Sequence, residues 1–491
     1  MYMKKGLLFS MLLILGSLFG KAQDAYKINV KIKNTPSKEI YLGFYYDNNK
    51  YVKDTAKAVK PGEFVFSGDT KLEKGLYLIV LENMVMFDLL IDDNQHFTLE
   101  TDTLDLIKNA KFKGHDLNAA FYDFMGKAGK KQAEIGKYRA RIKELGEDAD
   151  STKIYREKIS TLSKDIQDNQ DAIIAKFPNS LLANMFMAGK EVPNPVPLNS
   201  KEDSTNHYYY NVKHYWDNYA WQDGGLARTP ILYDRLLTYF DKMIIKVPDT
   251  LIYYTDYVLK MAEADKENFK YTVQFLYKHF GTSKMLCHEN VFVHLAKNYY
   301  NADKAWWADK ESLDKIAKTV RELEPTLCGQ IAPNLSLPDT GGVDFYRLHD
   351  VKAKYTLITF WDPGCGHCQK EIPRLQHLLD STLTKQGVDV YGVCTQRDLG
   401  ELKKFLKEKK IRFLNTLVTE EMAKNPNKYV LELKITDIAS LNLHQTYNIK
   451  STPLMMVLDS KKRIIAQKLG VEDLIPFLKN YERQQELLKK N

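Results

Sequence analysis

Cysteine is scarce in this chain: there are five among 491 residues, Cys287, Cys328, Cys365, Cys368 and Cys394. That is far too few for a disulfide-built scaffold, so stability has to come from packed cores. After residue 19 no apolar run approaches the ~18 residues of a membrane-spanning helix, and the mature chain is expected to have no transmembrane segment. Concentrated charge is missing too. The formal excess of +8 is spread over 71 basic and 63 acidic residues with no basic block, which argues against a nucleic-acid partner. No internal repeat or low-complexity tract stands out, so a solenoid is not expected.

What is present starts with an export signal. Lys4 and Lys5 give a positive start, Gly6 to Phe19 an apolar run, and Gly20-Lys21-Ala22 a small-x-small cleavage site, with the mature chain expected near Gln23. An uncleaved anchor is the alternative reading. The expected location is the periplasm or cell envelope.

The remaining length implies about three domains. Residues 23–115 alternate short β-rich runs with turns such as Pro61-Gly62 and Asp92-Asp93-Asn94, the pattern of an antiparallel β-sandwich. Over 116–325 the apolar period becomes helical. Ile135, Tyr138, Ile142 and Leu145, and then Tyr155, Ile159, Leu162 and Ile166, predict an antiparallel helical pair, with further helices over 231–245, 250–264 and 269–280. The aromatic segment from Tyr208 to Trp221 reads either as a recognition surface or as core, with core favoured. Residues 326–491 alternate strand and helix, which predicts an α/β layer with parallel strands.

The chemistry concentrates in Leu357 to Pro373, where an apolar strand runs into Cys365-Gly366-His367-Cys368 and a helix follows. A helix N-terminus carries unsatisfied N–H groups and a partial positive charge that favour a thiolate, so Cys365 is the predicted nucleophile. The two-residue spacer keeps Cys368 within reach to resolve a mixed disulfide. His367, when protonated, would make the pair more oxidising, nearer ~−180 mV than ~−270 mV on that ground alone. Glu371 shares a helix face with Cys368 and reads either as a proton relay or as a solvated surface acid. C-x-x-C is also half of a zinc motif, but no second close pair accompanies it and His377 and His444 stand alone, so no metal is expected. Cys394 ends a predicted strand and reads as a core residue. Whether Cys287 and Cys328 pair is left open, because sequence does not fix their distance.

Phe360-Trp361 through Glu371-Ile372-Pro373 resembles the thioredoxin-like envelope oxidoreductases of the ResA and TlpA type, over roughly Gly329 to Leu488. The resemblance implies that Glu371 belongs to the active site, that Pro373 kinks the helix, and that Pro453 in Ser451-Thr452-Pro453 is cis and faces the cysteines. The expected substrate surface comprises Trp361, Gly366, His367, Thr452 and Pro453, with a backbone edge at Thr452 open to an extended segment. Gly364, where thioredoxins usually have Trp, and Thr359, where they have a buried acid, depart from the pattern. The upstream regions look like the β-rich and helical domains of unknown function that often precede such units.

The expected activity is thiol-disulfide exchange with protein thiols and disulfides, needing no cofactor beyond the Cys365–Cys368 couple. Reduction is the favoured direction and would need a membrane electron donor. The alternatives are oxidase or isomerase work, or a binding and adaptor protein whose redox domain keeps one partner reduced.

Overall fold

The computed structural model describes residues 24–146 and 150–490, so the expected export signal lies outside the described residues. The chain divides into two compact units, one ending at Tyr239 and the other beginning at Phe240.

The first unit opens with eight strands: β1 (Tyr26–Lys33), β2 (Glu39–Tyr46), β3 (Asn49–Lys57), β4 (Glu63–Gly68), β5 (Gly75–Leu81), β6 (Met86–Ile91), β7 (His96–Asp102) and β8 (Lys111–Lys113). They form two four-stranded sheets, ordered β4-β1-β7-β8 and β3-β2-β5-β6. All pairings are antiparallel except β1 with β7, which run parallel, so the first sheet is mixed where alternation alone suggested a purely antiparallel one. Alternation places Ile28, Val30 and Ile32 of β1 in the core, each nearly devoid of solvent contact. Burial of one such side chain contributes about 1.5–3 kcal/mol.

Helices α1 (Asp116–Leu145) and α2 (Lys153–Lys176) then form the expected antiparallel pair, with the rings of Tyr138 and Tyr155 5.8 Å apart. α3 (Leu181–Ala188), α4 (Lys201–His214) and α5 (Pro230–Thr238) complete this unit. In the aromatic segment Trp216, Tyr219 and Trp221 are buried, and Tyr209 is exposed. Core packing therefore accounts for its second half.

The second unit starts with α6 (Pro248–Ala262), α7 (Lys266–Gly281), α8 (His288–Asn298) and α9 (Lys310–Leu323). A small hairpin follows, β9 (Ser336–Pro338) with β10 (Phe345–Arg347). Next come β11 (Tyr355–Trp361), α10 (Gly366–Leu378), β12 (Val388–Cys394), α11 (Leu399–Glu408) and β13 (Leu414–Leu417). Three short helices, α12 (Glu420–Lys424), α13 (Ile438–Leu441) and α14 (Leu443–Thr446), lead to β14 (Leu454–Leu458), β15 (Ile464–Gln467) and α15 (Leu474–Lys490). The sheet order is β13-β12-β11-β14-β15, parallel from β11 to β13 and antiparallel from β11 to β15. This is the thioredoxin-like α/β domain expected from the sequence.

β11 lies at the centre with all seven residues buried. Leu357 and Trp361 face one apolar layer and Ile358 and Phe360 the other, as the two-residue period of a strand requires. Both outer strands are covered along part of their length. Beside β15, Gly329 N–H donates to Ile464 O and Ile464 N–H to Gln330 O, and beside β13 Asp339 bridges Thr416.

Cys287 and Cys328 are joined by a disulfide, which settles the pairing that spacing left open. The bond ties the N-terminus of α8 to the segment entering the α/β domain. Around it the Asn290 side chain brackets the Cys328 backbone, donating to its carbonyl at 2.8 Å and accepting from its N–H at 3.2 Å. Leu286 packs on the apolar layer beneath α10, and Glu289 pairs with Lys468.

Candidate active site

β11 ends at Trp361, and the next residues make a tight turn fixed by Asp362. Its Oδ1 accepts Gly364 N–H at 2.7 Å and its Oδ2 accepts the Gln396 side-chain amide at 2.8 Å. A Cβ at Gly364 would lie 3.3 Å from Asp362 Oδ1, closer than side chains normally sit. A glycine there suits the turn, and a larger residue would have to displace the carboxylate.

Cys365 is the N-cap of α10, in an extended conformation with φ −78° and ψ 121°, and its carbonyl accepts the first helical bond from Gln369 N–H. α10 buries Cys368, Ile372 and Leu375, a stripe with the helical period, against the sheet. Pro373 lies inside this helix, where its ring removes a backbone donor.

The two thiols sit in opposite electrostatic settings. Cys365 is half-buried, and its Sγ donates to Thr452 O at 3.4 Å. Its pKa lies below the ordinary thiol value, chiefly because the Cys368 backbone N–H points at the sulfur, with help from the Thr452 hydroxyl and the His367 N–H. Cys368 has no solvent contact, and burial pushes its thiol up to about 11. Both are free thiols, so the structure shows the dithiol state. Cys394 pairs in register with Trp361 at the end of β12 and is buried in the same apolar layer, with its thiol pushed up to about 12 by burial and by the charges of Asp362 and Glu401.

Thr452 and Pro453 are joined by a cis peptide bond and stand across from the cysteines, linked to them through the Cys365 contact. Gly366 and His367 form the exposed first turn of α10. Glu371 is one turn beyond Cys368, and its carboxylate is held by Arg374 at 2.5 Å. Thr359 is buried behind this helix with no hydrogen-bond partner for its hydroxyl.

Trp361 requires a correction. It was expected on the substrate surface, yet it has no solvent exposure, donates Nε1–H to Asn415 Oδ1 at 2.9 Å and packs 5.1 Å from the Phe405 ring. The strand period turns it into the core, so it cannot touch a docked substrate.

Sequence reasoning also missed an adjoining cleft of about 1020 Å³. Asp362 and Thr452 line it on the cysteine side, Arg397 and Asp398 come from the turn after β12, and His444 and Lys450 come from the stretch before Thr452. The Asp-Pro-Gly turn was a legible signal for Asp362. Nothing periodic marks residues 418–450, which supply the far wall.

Parts of the chain are similar to known proteins. Residues 328–473 match the AhpC/TSA family, residues 26–121 match DUF4369 and residues 155–322 match DUF5106, the last two being domains of unknown function. A thiol-disulfide oxidoreductase ResA from Bacillus thuringiensis is 22% identical over 142 residues, 29% of this chain and 69% of that protein. ResA from Geobacillus kaustophilus is 26% identical over 149 residues, 30% of this chain and 73% of that one. Among solved structures, a domain of a possible thiol-disulfide isomerase from Cytophaga hutchinsonii is 38% identical, covering 33% of this chain and 98% of that one with a TM-score of 0.28.

Proposed function

We propose, on the premise that this chain is a thioredoxin-like thiol-disulfide oxidoreductase whose C-terminal third is an AhpC/TSA-type domain, that it exchanges disulfides with protein substrates in the cell envelope through Cys365 and Cys368. The observation that carries this reading is the split between the two thiols within one helical turn. One is partly exposed with a lowered pKa, and the other is buried with a raised one.

The Cys365 thiolate attacks one sulfur of a substrate disulfide, forming a mixed disulfide and releasing the other sulfur as a thiolate that takes up a proton. Cys368 then loses its proton and attacks Cys365 Sγ. The second substrate sulfur leaves as a thiolate that takes up a proton and a Cys365–Cys368 disulfide remains, so the substrate has gained two electrons from the protein and two protons, one given up by Cys368 and one from solvent. The high pKa of Cys368 delays this second step until a base takes its proton. Glu371 is the proposed acceptor, released from Arg374, since a partly exposed ion pair of this kind contributes only about 0–1 kcal/mol.

Gly366, His367, Thr452 and Pro453 form the proposed docking surface, with the cleft beside Asp362 receiving an extended segment of the substrate. Reduction is the proposed direction, with a membrane electron donor restoring the dithiol. The export signal read in residues 1–22 supports the envelope location. A redox titration of the purified chain against glutathione tests the core of the reading. A reversible two-electron couple, absent in both Cys365→Ser and Cys368→Ser, is expected, with a potential below ~−250 mV if the chain works as a reductant. Retention of the couple in either variant would overturn the assignment. Glu371→Gln is expected to prolong the lifetime of the mixed disulfide at neutral pH, and unchanged resolution would remove Glu371 from the mechanism.

A further inference from the structure

In the first unit a groove of about 790 Å³ runs between the first half of α1 and the turn joining β7 to β8. Its floor is apolar, with the Phe112 and Tyr122 rings 4.9 Å apart. Four lysines and two aspartates line it, and the aspartates are already engaged. Asp123 pairs with Lys127 at 2.6 Å, and Asp105 Oδ1 accepts the N–H groups of Ile107 and Lys108. Lys108, Lys111 and Lys130 are exposed and have no carboxylate partner among the described residues. Against these three lysines stands the single charge of Asp105, so the groove has an apolar floor and a net cationic rim.

Two further features limit what fits. β8 is the last strand of its sheet, so one side of its backbone is unpaired by the sheet and can accept an added strand. On the opposite wall Gly126 and Gly129 present bare helix backbone, and a Cβ at either would meet nothing within 4 Å. Packing within the chain does not demand glycine there, and glycine inside a helix lowers its stability relative to alanine. From Ala119 to Lys130 the helix wall is about 17 Å long, the span of roughly five extended residues.

We propose that this groove binds an extended acidic segment of another polypeptide. The segment adds to β8 through main-chain hydrogen bonds. Because successive side chains of a strand point to opposite faces, its carboxylates meet Lys108 and Lys111 while the intervening small apolar side chains lie on Gly126 and Gly129, and Lys130, on the glycines' side of α1, pairs with a carboxylate at the end of the segment. This gives the β-rich domain a recognition role independent of the cysteines.

Fluorescence anisotropy with the full chain and a labelled decapeptide alternating Asp and Val tests this. Saturable binding that weakens with added salt is expected, with no binding of the matching Lys-Val peptide. Lys108→Glu/Lys111→Glu/Lys130→Glu should lower affinity at least tenfold. Gly126→Leu should block the groove with no fall in unfolding temperature, which separates obstruction from misfolding. Affinity unchanged in both variants would overturn the proposal. So would absence of peptide binding together with lysine-dependent binding to phosphatidylglycerol vesicles, since the groove would then read membrane charge.

Discussion

Removing the Cys287–Cys328 disulfide should destabilise the second unit by an amount its loop length predicts. The bond closes a loop of 41 residues. In the chain-entropy description, freeing such a loop in the unfolded state costs about 4 kcal/mol at 25 °C. Native contacts around the bond do not depend on it: Asn290 still brackets the Cys328 backbone and Leu286 still packs on the apolar layer. The loss should therefore be close to the entropic term alone. For a unit of ~250 residues that corresponds to a fall in unfolding temperature of roughly 8–16 °C. Calorimetry of Cys287→Ala/Cys328→Ala against the oxidised wild type measures it, and the wild type in excess dithiothreitol should melt with the variant. A loss under ~1 kcal/mol, or a reduced wild type that melts like the oxidised one, would refute the reasoning.

Other predictions concern the site. In the dithiol form the raised Cys368 pKa means the folded chain holds that proton more tightly than the unfolded one does. The resulting stability is complete below about pH 9 and is lost by about 2–3 kcal/mol as pH rises to about 11, whereas the disulfide form should lack this alkaline loss when both are unfolded with urea across that range. Cys365 contributes with the opposite sign, its share being lost as pH falls through its lowered folded value. Iodoacetamide at pH 7 should accordingly label Cys365 well before Cys368 or Cys394 by mass spectrometry, and equal labelling would contradict the burial of the latter two. Trp361→Phe leaves Asn415 Oδ1 without its indole donor and should cost about 1–3 kcal/mol of stability with little change in exchange rate at saturating substrate; a selective loss of rate would return Trp361 to the substrate surface.

Much of the α/β domain was legible because its signals are local. The apolar strand read before the cysteines is β11, since a continuous apolar run ended by Asp-Pro-Gly has few other readings. α10 begins at Gly366 with Cys365 as its N-cap, the helix N-terminus on which the choice of nucleophile rested. Within the β-rich region β3 carries little of the alternating signal, because Asn49–Lys57 is almost wholly exposed and lacks the pattern that burial imposes. Trp361 was misplaced because a motif records adjacency along the chain, whereas the strand period decides which side faces solvent. The Cys287–Cys328 bond and the cleft wall at His444 and Lys450 depend on long-range packing, which spacing does not encode.

The covered margins of the second unit's sheet bear on what such a protein must survive. On the proposed function the domain meets other polypeptides at close range, and an open strand edge is a template to which another chain can add. Its own sheet would be a template if β15 or β13 stood open along its length. Backbone bonds from Gly329 and Gln330 on one side and the Asp339 bridge on the other occupy part of that template, leaving less open edge for another chain to extend.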